Sequence, residues 1–394
     1  MLRTYKYLLR PNKEQAEQLD FLLWQSRRIY NAALEQRIKA YQETGKGMNY
    51  GAQWAHFRDQ RHENSDTLGQ LNASSVQHML RRLDKSFAAF FRRLKTGERA
   101  GFPRFKSRHR FHSLEYTYGD GCKLRQNKQG RQSFYVQNVG ETRMCYHRAI
   151  PAEAKIKHAV IKRVGERWYV CLMLQLPDPE NSGIQTGKQI GIDVGLKSLA
   201  ALSTGELIEN PRWLRENLAK LRRLQRRSAR QIRGSHRQRE TYRQIARLHE
   251  HVANQRADYL HKVSHRLVTG HDFIAIEQLS LGFMNQNRHL SLSSHDAGFG
   301  LFRQMLEYKA ESAGIPVIAV NPSNTTQACS GCGRMVPKDL SVRVHACPDC
   351  GLILDRDVNA ARNILSLALH RSVGSQPLGR SGQPGTWVAT PCVG

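Results

Sequence analysis

Two cysteine pairs stand close together in the sequence, Cys329-Ser-Gly-Cys332-Gly333 and Cys347-Pro-Asp-Cys350-Gly351. Four soft thiolates at this spacing suit a tetrahedral Zn²⁺ ion. The glycine after each second cysteine permits the tight turn that aims backbone N–H groups at the sulfurs. The 14 residues between the pairs are one short of the usual range. All four positions are filled, so the zinc is expected to be structural. Iron of the rubredoxin type is the alternative, which the basic surroundings disfavour. Cys122, Cys145, Cys171 and Cys392 are scattered. Paired spacing with scattered remaining thiols reads as a metal site in a reducing cytosol, not as a disulfide framework.

Three carboxylates form the second group. Asp193 lies in Ile190-Gly191-Ile192-Asp193-Val194-Gly195, Glu277 closes Phe273-Ile274-Ala275-Ile276-Glu277, and Asp357 opens a last helix after Asp355-Arg356. An acid at the end of a buried strand is costly unless it is paired or metal-bound. Taken singly, each has a plain structural role: turn residue, solvated strand end, N-cap. Taken together they offer hard oxygen donors. That set suits two Mg²⁺ or Mn²⁺ ions, about 3.5–4 Å apart, hydrolysing phosphodiester bonds.

The elements around these residues define the expected architecture. Residues 1–10 alternate apolar and basic, which predicts a strand. Lys13 to Ala40 and Asn72 to Leu94 have helical spacing, the second with Val76, Leu80, Leu83, Phe87, Phe90 and Phe91 on one face. Short alternating segments over 101–180, with a hairpin at Gly165-Glu166, predict a small β-barrel into which the helices of 12–100 are inserted. From 188 a new start gives a β-β-β-α-β-α-β-α order, that of an RNase H-like fold. Residues 211–268 are helical, split at Gly234-Ser235, and carry 13 Lys/Arg against 3 Glu between 211 and 250. The segment after about 372 is rich in Gly and Ser and is expected to be disordered, with Trp387 its single possible anchor.

Composition narrows the function. The chain has 394 residues, with 61 Lys+Arg against 33 Asp+Glu, a formal net charge of +28. Such a surplus destabilises a compact chain through self-repulsion unless a polyanion offsets it. Nucleic acid is the simplest partner, an anionic membrane surface the weaker one. No apolar run reaches the ~18 residues needed to span a bilayer. The opening MLRTYKYLLRPNKEQ has no long apolar core of a signal peptide, so a cytoplasmic, nucleoid-associated protein is expected.

At this point the chain resembles TnpB (OrfB), the insertion-sequence-encoded family of RNA-guided nucleases related to type V CRISPR effectors. The resemblance runs over nearly the whole length. It rests on Gly101-Phe-Pro-Arg-Phe-Lys106, Gly191-Ile-Asp-Val-Gly195, Ile276-Glu277-Gln278-Leu279 and Leu306-Glu-Tyr-Lys-Ala310. The most specific carriers are Gln327-Ala-Cys329-Ser-Gly-Cys332-Gly and Asp355-Arg-Asp357-Val-Asn-Ala-Ala-Arg-Asn-Ile364. Two departures are Gln278, where an acid or Asn is common, and Asn324, where an aromatic is frequent.

The resemblance implies an α+β multidomain protein. A wedge β-barrel (1–11 and 101–185) holds a helical recognition lobe (12–100). A RuvC-like nuclease (186–320 and 354–371) carries the basic hairpin 211–268 and a zinc-ribbon insertion (321–353); a tail (372–394) follows. It implies RuvC acids at Asp193, Glu277 and Asp357, with Asp355 a rival to Asp357, and zinc on Cys329, Cys332, Cys347 and Cys350. The implied cofactors are Mg²⁺ or Mn²⁺, structural Zn²⁺ and a transposon-derived guide RNA that pairs with double-stranded target DNA beside a short motif. A monomeric ribonucleoprotein with no membrane partner is expected. Arg222, Arg223, Arg226 and Arg227 would track phosphates, and Tyr50, Asn72 and Gln77 are nominated for the adjacent motif. The alternatives are a non-cleaving regulator of transposition and a DDE-type transposase.

Overall fold

The computed structural model describes residues 1–126, 130–178, 186–278, 287, 290–339 and 341–374. They form two compact units, Met1–Pro177 and Asp178–Gly394. The expected disorder after 372 falls outside the described residues beyond Gly374. Among the described residues no helix is long and apolar enough to cross a membrane.

The first unit is built on β1 (Leu2–Arg10). Alternation turns Tyr5, Tyr7 and Leu9 into the core. Three helices follow: α1 (Lys13–Thr44), α2 (Tyr50–Glu63) and α3 (Ala73–Lys95). Then come β2 (Ser113–Thr117), β3 (Cys122–Gln126), β4 (Gln132–Val136), β5 (Gly140–Cys145), β6 (Lys155–Val164) and β7 (Arg167–Gln175). The strands make one sheet in the order β2-β6-β7-β1-β5-β4-β3. The first strand thus lies in the middle of a sheet whose other strands come after the helices. Among the described residues no ladder joins β2 to β3, so these two strands are the edges of the sheet that stands where a small β-barrel was expected.

Asn12 begins α1 with a reciprocal capping box to Gln15, and Gly45 ends it in the left-handed region at φ 66°. Helix α2 escaped the sequence pattern because its buried residues are Gln53 and Phe57, which make no apolar stripe. Gln53 accepts from Arg37 Nε at 2.7 Å and donates to the Ala33 carbonyl at 2.7 Å. On α3 the apolar stripe divides. Val76, Leu80 and Leu83 are buried, whereas Phe90 and Phe91 leave the core and cluster with Phe87 and Phe102.

Asn72 has another role than the one nominated for it. It is the N-cap of α3, accepting from Ser74 N at 2.7 Å and Ser74 Oγ at 2.6 Å. Its Nδ2 donates to Asp120 Oδ1 at 3.0 Å and Gln137 Oε1 at 2.8 Å. Both faces of the amide are engaged, and no edge is left to read a base.

In the second unit, β8 (Gln189–Val194), β9 (Ser198–Leu202) and β10 (Leu207–Glu209) form an antiparallel meander. The basic α4 (Trp213–Ala229) and α5 (His236–Gly270) follow, then β11 (Phe273–Glu277), α6 (Ser291–Ala297), α7 (Phe299–Ala313) and β12 (Val317–Val320). The sheet order is β10-β9-β8-β11-β12, with β11 parallel to both β8 and β12. Strands β13 (Val344–Ala346) and β14 (Ile353–Asp355) form a small hairpin before α8 (Arg356–Gly374). Ile190, Ile192, Ile274 and Ile276 pack in one core with Leu260, Val263 and Phe302 of α5 and α7. Phe273, Ala275 and Val320 pack with Ile364 and Ala368 of α8 in a separate core. Alternation along β11 therefore gives its two faces to different helices.

Replacing Asn72 with Ala is expected to lower stability by about 1–2 kcal/mol, through loss of a buried cap and two cross-links. Thermal unfolding of the variant checks this; an unchanged midpoint would return Asn72 to a surface role.

Candidate metal centres

The period of a strand brings the first two carboxylates together. On β11, Glu277 follows Phe273 and Ala275 on the face toward α8. On β8, Ile190, Ile192 and Val194 face the other core, which leaves Gly191 and Asp193 toward α8. Strands β8 and β11 run parallel with Ala275 opposite Gly191 and Ile276 opposite Ile192. Continuing that register brings Glu277 beside Asp193. Asp357 sits in the first turn of α8, the helix that covers this face.

Helix α8 can lie that close because position 191 has no side chain. A Cβ there would come 2.1 Å from the Ala361 carbonyl oxygen and 2.8 Å from Leu365 Cβ. The glycine of this motif thus serves a close backbone approach.

Hydrogen bonds give Asp355 and Asp357 different places at the start of α8. Asp355 Oδ1 accepts from Asp357 N at 2.8 Å and Val358 N at 3.4 Å, so Asp355 caps the helix. Asp357, relieved of capping, keeps its carboxylate for the cluster. It pairs with Arg356, Nε to Oδ1 at 3.2 Å, and lies 3.9 Å from Arg343 Nη1.

Crowding of like charges shows in the acidities. Burial, then Glu277 and Asp357, push Asp193 well above the carboxylate range. Burial raises Glu277 to about 7 against the pull of the Val194 N–H, and Asp357 adds to the rise. Cations that neutralise this cluster would remove the penalty, and hard oxygen donors suit Mg²⁺ or Mn²⁺. The three carboxylates do not converge on one point within 4.8 Å, as the cysteine ligand atoms do.

The four cysteines do make a closed centre. Cys329 Sγ is 3.6 Å from Cys350 Sγ, and Cys332 Sγ is 3.6 Å from Cys347 Sγ. A tetrahedron with bonds of about 2.3 Å has edges of about 3.8 Å, so the sulfurs fit zinc. Gly333 and Gly351 take φ 79° and 70°, as the knuckle turn demands. Backbone N–H groups of Cys350 and Asp349 pull the Cys347 thiol down to about 6. Asn324, one of the two departures, sits in the left-handed region at φ 66°, which Asn tolerates.

Two residues that the motif reading gave no role join the centres. Asn359 accepts from Ser330 N at 2.9 Å and donates to Ala328 O at 2.7 Å. Asn363, one turn on, donates to Thr325 O and Ala328 O, each at 2.8 Å. Helix α8 therefore carries Asp357 and grips the first cysteine knuckle with the same turns. The available signal was two Asn four residues apart inside a helix, where Asn is a poor helix former.

Arg222, Arg223, Arg226 and Arg227 are all exposed on α4. The start of α4 is held by Asp296, which accepts from Leu214 N at 2.9 Å and Arg215 N at 3.0 Å. Tyr50 and Gln77 are half-buried in the first unit, with the Arg81 guanidinium 5.6 Å from the Tyr50 ring centre.

Comparison with known proteins gives three family matches. Residues 174–288 match "Probable transposase", 299–364 match "Cas12f1-like, TNB domain" and 1–46 match "Helix-turn-helix domain". The last span folds here as β1 and one long helix. A protein of Streptomyces pristinaespiralis named "Putative RNA-guided DNA endonuclease" is 33% identical over 97% of this chain and 94% of its own. "Putative RNA-guided DNA endonuclease InsQ" of Escherichia coli is 28% identical over 97% of this chain and 96% of its own. Among solved structures, the chain in a Cas12f1–sgRNA–target DNA complex superposes with a TM-score of 0.57 at 17% identity. That match covers 90% of this chain and 83% of the other, and shows a shared fold.

Two outcomes are expected from these geometries. Gly191→Ala should lower stability by about 3 kcal/mol or more in denaturant unfolding, because the new methyl meets backbone and not a flexible side chain. The pH dependence has a definite sign. Glu277 is raised from 4.5 to about 7 in the fold. Its protonated form therefore favours the metal-free fold below 4.5, and that contribution is lost as pH rises to about 7. A cation must displace the same proton. Mn²⁺ affinity measured by calorimetry should rise with pH up to about 7 and level off above it; a flat profile would contradict the shift.

Proposed function

The chain belongs to the TnpB (OrfB) family of RNA-guided DNA endonucleases, and we propose that Asp193, Glu277 and Asp357 are its catalytic carboxylates. The protein is a nuclease that cuts DNA under the direction of a guide RNA. One observation carries the assignment of the site. Two acids from adjacent parallel strands and a third from the helix laid across them lie on one face, and burial, with the like charge of the neighbouring acids, raises Asp193 and Glu277. A fold without a use for cations would not keep that repulsion.

Asp193, Glu277 and Asp357 would hold Mg²⁺ or Mn²⁺, which would supply Lewis-acid chemistry at the scissile phosphate. The protein's own residues do the positioning. The Val194 N–H orients Glu277. Asp355 caps α8 and so holds Asp357 in the helix's first turn. Arg356 and Arg343 hold positive charge beside Asp357, where an anionic phosphate would also be drawn.

Nucleic acid binds elsewhere in this reading. The exposed arginines Arg222, Arg223, Arg226 and Arg227 form one strongly basic helix surface that tracks phosphates without reading bases. Guide RNA and double-stranded target DNA are the polyanions that offset the net charge of +28. The seven-stranded sheet acts as the wedge and α1–α3 as the recognition lobe, with Tyr50 and Gln77 the remaining nominees for the target-adjacent motif. Zn²⁺ on the four cysteines is structural, and the working particle is one chain with one guide. A regulator that does not cut would have no need of all three acids.

Asp193→Ala, Glu277→Ala and Asp357→Ala are each expected to abolish plasmid cleavage in Mg²⁺ while guide-dependent binding persists in a gel-shift assay. Asp355→Ala removes the cap that positions Asp357, so it should cost about 1 kcal/mol of stability and slow cutting without abolishing it. Cleavage at the wild-type rate by any of the first three, or its loss in the fourth without unfolding, would reassign the site.

A further inference from the structure

Among the described residues, one other group of metal-ligating side chains converges outside the two centres above. His78, Glu115 and His158 each offer a ligand atom, and these atoms all lie within 4.8 Å of one another. They come from three elements: α3, β2 and β6.

The sheet register explains the meeting. Thr117 lies directly opposite His158 in the β2–β6 ladder. Glu115 is two residues before Thr117 and shares its face. A register irregularity in β6 falls between Ile156 and His158, the kind of local break that re-aims a side chain. His78 from α3 is 8% exposed and closes over this face. Its ring sits 5.0 Å from that of His158, at 88°.

Each nitrogen has a definite situation. His78 Nε2 lies 3.0 Å from Thr117 Oγ1, and His78 Nδ1 lies 3.4 Å from Glu115 Oε1. If Nε2–H donates to the threonine hydroxyl, the Nδ1 lone pair points toward the carboxylate. That is the arrangement in which an outer hydrogen bond fixes the tautomer of a metal-ligating histidine. His158 Nδ1 is sealed from solvent and has no hydrogen-bond partner. A buried ring nitrogen in that state costs stability unless something binds it. Burial is the main reason His78 lies below the usual histidine range; Glu115 opposes the shift, and His158, Arg81 and Lys85 favour it. The neutral ring is the form that can ligate.

We propose that His78, Glu115 and His158 form a second zinc site, which staples α3 to the β2–β6 edge of the first unit. Two imidazoles and one carboxylate are a zinc ligand set with a fourth position for water. Nitrogen donors select against Mg²⁺, so this site does not compete with the carboxylate cluster. Arg81 and Lys85 oppose any cation, which makes the site weaker than the four-cysteine centre.

The test is the zinc content of the full-length protein, equilibrated with excess Zn²⁺ and then gel-filtered. Wild type should hold about two zinc ions per chain, one in each site. His158→Gln and Glu115→Gln should each hold about one, and zinc should raise their unfolding temperature less than it raises that of wild type. Glu115 is 40% exposed, so its amide variant tests the site even if His158→Gln folds poorly. In the Co²⁺-loaded protein, the variants should keep the thiolate charge-transfer bands of the cysteine centre and lose only ligand-field intensity. About one zinc per wild-type chain, or equal zinc in wild type and variants, would overturn the proposal.

Discussion

The carboxylate cluster depends on how closely one helix can approach one strand. Helix α8 carries Asp357, and β8 carries Asp193. Their distance is set where Gly191 meets the Ala361 carbonyl. Any side chain at 191 would lift the helix, and the third acid would leave the face that holds the other two. The cluster itself works against the approach, since burial and like charge raise Asp193 and Glu277. Packing of Ile364 and Ala368 on Phe273, Ala275 and Val320 supplies the opposing attraction.

The same helix joins the two metal centres. Asn359 and Asn363 hold carbonyls and an N–H of the segment that leads into the first cysteine knuckle. A zinc ion on the four cysteines would hold that segment, and the asparagines tie the segment to the first turns of α8. The insertion is thus mechanically part of the nuclease and not an appended module. Arg356 adds a further tie, its N–H donating to Arg343 O at 2.8 Å and its Nη1 to Val342 O at 3.0 Å.

Charge is divided by function in the second unit. Acidic groups are gathered under α8, while α4 shows arginines to solvent. Between them, Asp296 satisfies the N–H groups at the start of α4 and lies 3.4 Å from Arg256 Nη2. One acid is thus used to fix the helix whose outer face stays basic.

Features encoded by local spacing were legible from the residues alone. The zinc knuckles, the split of the basic hairpin at Gly234-Ser235 and the strand ends bearing Asp193 and Glu277 all depend on neighbours a few positions apart. Their periodicities of 2 and 3.6 are written directly in the chain. What required the tertiary structure depends on contacts between distant segments. The family motif favoured Asp357 over Asp355, but either can cap a helix, and only the hydrogen bonds show that Asp355 does. Sequence offered Asn72 as a surface amide, because its partners Asp120 and Gln137 lie far along the chain. Helix α2 was hidden, since Gln53 is buried by satisfying Arg37 and Ala33 and not by being apolar. The sheet's open edges, and the meeting of His78 with Glu115 and His158, follow from strand order and register. Those are settled by the packing of whole faces, a sum over many residues that no single spacing reveals.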